Sequence, residues 1–221
     1  MSSSTIVLPA TAHVHVFPSK STIGLNVAKR VADISSNAIQ ERGRVLVAIS
    51  GGSLPSILAS GLLATTEGGD DASTIASTID WSKWDVFFAD ERIVPLDHDD
   101  SNYQECNKVM FSKVAGSKEA TADLLTRVHT ITMGNPADIA ASYQTEVEAA
   151  LDSSGGAFDL VLLGMGPDGH TGELVFCFLF FLFLSSLLVA VQLLLLFFLH
   201  YILLTRMCLF SHYVCIILKK Y

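Results

Sequence analysis

Short apolar runs that end abruptly in polar or glycine-rich residues are the most distinctive pattern in this chain. Three of them, Val45–Ile49, 84–89 and 158–163, are built mostly from Val, Leu, Ile, Phe and Trp, without regular polar alternation. Such runs are typical of parallel strands that are covered on both faces of a sheet. We therefore predict three central strands of one sheet.

Apolar residues at helical spacing occur before and between these runs. The first helix is predicted over 21–42, with Ser19 or Ser21 as its cap and Gly43 as its end. Three more are predicted: from about Pro55 to 63, over 101–111 after a Ser101 cap, and over 136–151 after Asn135. Alternating strands and helices predict an α/β fold, a parallel Rossmann-like sheet flanked by helices.

Weaker patterns complete the prediction. A short β-rich run occupies 13–17, a surface loop or weak helix is expected at 67–78, and 128–131 is a candidate fourth strand.

The residues that follow the first two strands have the composition of ligand sites. The first strand runs into Ser50-Gly51-Gly52-Ser53, where backbone amides and a helix N-terminus would form an anion site; a plain strand-to-helix turn is the alternative. The second strand runs into 90–92, where an arginine adjoins two carboxylates. The arginine either forms a surface ion pair with these carboxylates or binds a phosphate group through two hydrogen bonds.

The third strand carries the strongest chemical signal. It ends in the glycine-rich segment GMGPDGHT, which places Asp168 two residues before His170. Ligands of open α/β sheets bind at the carboxyl ends of strands, so an acid and an imidazole are well sited there. A tight turn with an exposed histidine is the alternative interpretation.

Charge is distributed unevenly along the chain, and this divides it into two parts. The formal net charge of -8 argues against a nucleic-acid partner, which would require a basic face. Of the 14 basic and 22 acidic residues, three basic and one acidic lie in 172–221. Few cysteines in the first part and no signal-peptide pattern indicate a reducing, cytoplasmic location.

Three segments together resemble the signatures of the 6-phosphogluconolactonase family, in the superfamily of the amino-sugar-phosphate isomerases. They are SGGSLP at 50–55, DERIVPLDHDDSNY at 90–103 and FDLVLLGMGPDGHT at 158–171. The resemblance implies hydrolysis of 6-phospho-D-glucono-1,5-lactone to 6-phosphogluconate, in the oxidative pentose phosphate pathway, without a metal or organic cofactor. An amino-sugar-phosphate deaminase/isomerase and a non-catalytic, membrane-tethered remnant are the alternatives.

The resemblance also implies roles for individual residues. His170 would be the general base for a water molecule, and Asp168 its orienting partner. The phosphate of the phosphosugar lactone would be bound by these residues: Ser50, Gly51, Gly52, Ser53 and Arg92. Four others would line the site: Asp90, Glu91, Gly166 and Gly169.

The resemblance stops near residue 171, so we expect a partial lactonase-like domain over 1–171 and an unrelated tail over 172–221. Residues 174–205 contain no charged side chain, and this uncharged segment is long enough for a helical membrane span. The codons for Gly172-Glu173 can contain a splice-donor sequence, and a T-rich intron would be translated mostly into Phe and Leu. Translation of an unspliced intron (intron read-through) is therefore the favoured interpretation. A membrane anchor and a divergent end of the domain are the alternatives. If the tail is read-through, we expect the sheet to be incomplete and this chain to be inactive or barely active and poorly soluble. The long apolar tail is expected to be helical.

Overall fold

Four parallel strands form the sheet that positions the site. The computed structural model describes residues 15–65 and 73–165, together with the backbone of 215–219. The strands are β1 (Val45–Ile49), β2 (Trp84–Phe88), β3 (Leu160–Met165) and β4 (Cys215–Lys219), in the order β2-β1-β3-β4. Ile49 pairs with Phe88 on one side and with Leu162 on the other, so the carboxyl ends of β2, β1 and β3 lie at the same edge.

The helices begin and end largely where the sequence predicts. The described helices are α1 (Lys20–Arg42), α2 (Leu54–Leu62), α3 (Asn102–Cys106), α4 (Ser112–Val114), α5 (Lys118–Leu125) and α6 (Pro136–Asp152). Single 3₁₀ turns occupy Ile75–Thr78 and Trp81–Lys83, and a π-helical turn, Asn107–Phe111, joins α3 to α4. The Ser19 and Asn135 side chains accept backbone hydrogen bonds as N-caps, and Gly43 ends α1 with a φ of 73°.

Both faces of the sheet are covered, as the unbroken apolar runs predict. In β1, Val45, Val47 and Ile49 pack towards the side of α1 and α2, whereas Leu46 and Ala48 pack towards α6. Every β1 residue is at most 1% exposed. Full burial of an aliphatic side chain contributes about 1.5–3 kcal/mol, so the sheet is a stable base for the loops at its edge.

The candidate strand at 128–131 is wrong. Val128 forms only a single parallel bridge, to Val86 of β2. Two residues further along β2, the Phe88 amide donates to the Tyr143 hydroxyl group of α6 at 2.7 Å. A longer ladder would need the Phe88 amide as the donor of its next hydrogen bond, but that amide is already bonded to Tyr143. The pairing of 128–131 with β2 therefore ends after one bridge.

Two further expectations differ from the structure, and one helix was not predicted. Residues 15–17, the described part of the run at 13–17, form no strand, and α5 had no clear sequence signal. The tail was expected to be helical, but Cys215–Lys219 is a strand paired with β3, so β3 is interior in the described sheet.

The apolar stretch 174–205 lies outside the described residues. Within the part of the chain that the structure describes, no helix is long and apolar enough to cross a membrane.

Candidate functional site

The loop after β1 is anchored to β3 at its first residue. Ser50 is only 4% exposed. Its backbone amide donates to the Leu162 carbonyl at 2.9 Å, and its hydroxyl oxygen accepts the Gly164 amide, also at 2.9 Å. The end of β1 and the end of β3 are therefore joined by the backbone and by one side chain.

The rest of this loop has the features of an anion site. Gly52 adopts a left-handed conformation, with a φ of 71°, and both Gly52 and Ser53 are exposed. Ser53 is the N-cap residue of α2 but its side chain makes no capping hydrogen bond. The first turn of α2 thus keeps backbone amides without a side-chain cap, beside a positive helix end.

Asn102 connects this loop to the end of β2. Its side chain is buried, at 3% exposure, and its Nδ2 donates to the Asp90 carbonyl at 2.7 Å. The same side chain packs directly on Gly51, where a Cβ atom would lie 1.8 Å from Asn102 Oδ1. Only glycine fits there, because the asparagine fills the space between the two loops.

The Glu91 carboxylate holds the start of α3. One oxygen accepts the backbone amide of Asn102 at 2.7 Å and the other accepts that of Tyr103 at 2.9 Å. The first oxygen also accepts the Arg92 amide at 2.8 Å. Glu91 therefore caps α3 and fixes Asn102. That Glu91 also lines the site stays a prediction.

Arg92 and Asp90 lie beside each other at the end of β2. Arg92 Nε is 3.9 Å from Asp90 Oδ2, and Arg92 Nη1 donates to the Asp100 carbonyl at 3.1 Å. The Arg92 side chain is 41% exposed, whereas that of Asp90 is 14% exposed. The arrangement is an ion pair whose guanidinium group is partly exposed. That Arg92 grips a phosphate group stays a prediction.

The remaining predicted site residues follow β3 directly. They are Gly166, Asp168, Gly169 and His170, and all four lie outside the described residues. Their roles stay predictions. Asn102 was not predicted from the sequence; its position after the Ser101 cap, within SNY, was the only available signal.

Two other ionisable side chains, Cys106 and His129, have distinctive surroundings. Burial is the main reason that the pKa of the Cys106 thiol is strongly raised, with nearby carboxylates adding to it. His129 stacks on Phe87 at a ring separation of 4.0 Å, and it faces Glu146 and, on β2, Asp85. Among residues 15–65 and 73–165, no group of three or more His, Cys, Asp or Glu side chains could hold a metal ion.

Comparisons with known proteins converge on one family. A family model described as glucosamine-6-phosphate isomerases/6-phosphogluconolactonase matches residues 18–175. The probable 6-phosphogluconolactonase of Schizosaccharomyces pombe is 38% identical over 172 residues, which cover 73% of this chain and 60% of the relative. The chloroplastic 6-phosphogluconolactonase 3 of Arabidopsis thaliana is 34% identical over 171 residues, covering 73% of this chain and 48% of the relative.

A solved structure supports the fold. The 6-phosphogluconolactonase from Plasmodium vivax matches with a TM-score of 0.52 and 20% sequence identity, over 70% of this chain and 48% of that chain. At that identity the likeness concerns the fold alone. The chain spans 60% and 48% of the lengths of the two curated relatives named above.

Proposed function

Because this chain belongs to the glucosamine-6-phosphate isomerase/6-phosphogluconolactonase family, we propose that it hydrolyses 6-phospho-D-glucono-1,5-lactone to 6-phosphogluconate. The single observation that carries the proposal is structural. Three strand ends meet at one edge of the sheet, and two of them bear an exposed glycine loop and an exposed arginine. The names of the relatives from Schizosaccharomyces pombe and Arabidopsis thaliana support the lactonase activity.

In this proposal the loop after β1 binds the phosphate group of the substrate. The exposed Gly52 and Ser53, with the uncapped first turn of α2, supply backbone amides and one hydroxyl group. Arg92 supplies a positive charge from the neighbouring strand end. Helix N-termini and glycine loops bind phosphate because their amides converge on it and the helix dipole favours negative charge. Binding at the remote phosphate would then orient the lactone carbonyl carbon.

The hydrolytic step is assigned to the segment after β3. His170 would remove a proton from water as the water oxygen attacks the lactone carbonyl, and Asp168 would orient the imidazole. The ring oxygen then leaves and takes the proton from His170, and the carboxylic acid that forms releases its own proton to solvent, which leaves an open-chain carboxylate. A positioned general base of this kind contributes about 10²–10⁴-fold to the rate. Asp90, at the neighbouring strand end, is assigned to the wall of the site.

Acid release tests the proposal, because each hydrolysed lactone yields one carboxylic acid. The 221-residue chain is mixed with fresh lactone in a pH-stat and its rate is compared with spontaneous hydrolysis. We expect a weak rate above the spontaneous one, and we expect His170→Gln to reduce it to the spontaneous rate, because loss of a general base costs about 10²–10⁴-fold. His98→Gln is the matched control, since that histidine lies in an exposed loop.

Two outcomes would contradict this proposal. Equal rates for the wild-type chain and spontaneous hydrolysis would refute lactonase activity of this chain, provided that the full-length fission yeast relative is active in the same assay. Release of ammonia from glucosamine 6-phosphate would instead identify an amino-sugar-phosphate deaminase.

We propose separately that residues 172–221 are unrelated in sequence to the lactonase family, although the backbone of Cys215–Lys219 pairs with β3 in the sheet. The family match ends at residue 175, which supports a boundary close to 171. The uncharged stretch 174–205 and the splice-donor pattern at Gly172-Glu173 favour intron read-through over a membrane-spanning segment. Sequencing of transcripts across codon 172 tests this, and transcripts that always retain the following codons would refute it.

A further inference from the structure

We propose that Ser50 is a positioning residue, whose hydroxyl group holds the end of β3 against the phosphate-binding loop and does not touch the phosphate. The inference rests on the proposed function and refines it. The family resemblance alone placed Ser50 among the phosphate ligands, together with the three residues that follow it.

The hydrogen-bond pattern at the end of β1 is the first argument for a positioning role of Ser50. Ser50 donates its amide to the Leu162 carbonyl, which continues the parallel ladder by one residue beyond Ile49. In a regular parallel ladder the next bond would run from the Gly164 amide to the Ser50 carbonyl. Instead the Gly164 amide donates to the Ser50 hydroxyl oxygen at 2.9 Å.

A side chain has therefore replaced the backbone at this position. The substitution lets β1 leave the sheet at Ser50, so that the chain can turn into Gly51 and Gly52. At the same time β3 keeps a partner for its Gly164 amide. Without a partner the half-buried Gly164 amide would be unfavourable, so the hydroxyl group allows both features to exist together.

The burial of Ser50 is the second argument. Ser50 is 4% exposed, whereas Gly52 and Ser53 in the same loop are exposed. The hydroxyl oxygen accepts the Gly164 amide; its O–H could still donate to a phosphate oxygen, but the burial of the side chain keeps that O–H away from the open side of the loop. A phosphate group approaching the open side of the loop would meet the exposed residues first.

The position of Gly164 in the sequence gives this contact its functional meaning. Gly164 lies four residues before Asp168 and six before His170. The contact fixes the end of β3 relative to the phosphate-binding loop, and we infer that it thereby positions the segment assigned to the hydrolytic step. A shift of about 1 Å between binding and reacting groups can reduce a rate by about 100-fold.

Steady-state kinetics distinguish positioning from binding. In the 221-residue chain we expect Ser50→Ala to lower kcat by about 10- to 100-fold with KM changed less than about twofold. Ser53→Ala, the matched control in the same loop, is expected to raise KM with little change in kcat. Ser50→Thr keeps the hydroxyl group and is expected to restore most of kcat. A rise in KM for Ser50→Ala comparable to that of Ser53→Ala would overturn the proposal.

Hydrogen exchange tests the contact independently of activity. We expect the Gly164 amide to exchange at least about fivefold faster in Ser50→Ala than in the wild-type chain, and at near wild-type rates in Ser50→Thr. Unchanged exchange in Ser50→Ala would overturn the proposal even if kcat fell. If the wild-type chain shows no turnover, the proposed function fails, and the Gly164 exchange rates alone decide whether the contact holds.

Discussion

The contact between Gly51 and Asn102 leads to a quantitative prediction for Gly51→Ala. A Cβ atom on Gly51 would lie 1.8 Å from Asn102 Oδ1, 2.4 Å from its Cγ and 3.0 Å from its Nδ2. The asparagine cannot easily withdraw, because its Nδ2 is bonded to the Asp90 carbonyl and its backbone amide to Glu91. The alanine methyl group must therefore displace buried structure.

The size of the effect follows from two opposing contributions. Overpacking of a buried site costs about 1–3 kcal/mol. Replacing glycine by alanine restricts the unfolded chain, which stabilises the fold by about 0.4–1 kcal/mol. We expect Gly51→Ala to lower the free energy of unfolding by about 1–2 kcal/mol.

A second substitution isolates the cause. The three clashing atoms all lie beyond the Cβ of Asn102, so Asn102→Ala removes every one of them. In that background Gly51→Ala should be neutral or stabilising by up to about 1 kcal/mol. The two substitutions are thus expected to be coupled by about 1–3 kcal/mol.

Urea unfolding of the four proteins measures the coupling. The unfolding midpoints and slopes give the free energies, and equal slopes indicate that the same transition is compared. Gly51→Ala combined with Ser56→Ala is the control pair, since Ser56 is exposed and bonds to Glu105. If Gly51→Ala and Asn102→Ala were additive within about 0.5 kcal/mol, the steric argument would be refuted.

Two further predictions concern the β2 edge. Tyr143→Phe should lower the free energy of unfolding by about 1–3 kcal/mol, because the Phe88 amide loses its partner; urea denaturation measures this. For His129, burial alone would lower the pKa, but the Asp85 and Glu146 carboxylates outweigh burial and raise it. The stabilisation that protonated His129 contributes is fully present below the unfolded pKa of about 6.5, and it is lost as the pH rises through the folded-state pKa. His129→Gln should therefore lower the free energy of unfolding more at about pH 5.5 than at about pH 9.

Controls for these two predictions lie in the same domain. Tyr103→Phe removes a hydroxyl group from a tyrosine that packs edge-on against Phe88, and is expected to change stability by less than about 0.5 kcal/mol. An equal loss in both tyrosine variants would contradict the assigned role of the Tyr143 hydroxyl group. For the pH prediction, His98→Gln provides the exposed-loop comparison, and a destabilisation by His129→Gln that grows with pH would contradict the sign.

The sequence by itself determined the elements whose signals are local. Apolar runs predicted β1 and β2 nearly to the residue, because burial on both faces demands mostly apolar side chains; Asp85 of β2, paired with Arg44, is the exception. Ser19, Gly43 and Asn135 marked helix boundaries, because their side chains or backbone conformations satisfy groups within one turn. The SGGS loop and the order of the three motifs were likewise readable along the chain.

Only the tertiary structure decided the features that depend on residues far apart in sequence. The segment 128–131 has strand-like composition, but Tyr143 from α6 takes the Phe88 amide that further pairing would need. Ser50 has the residue type of a phosphate ligand, but its hydroxyl oxygen meets an amide 114 positions later. A hydrogen-bonding group can serve one partner or another according to what the fold brings within about 3 Å, and no local pattern contains that information.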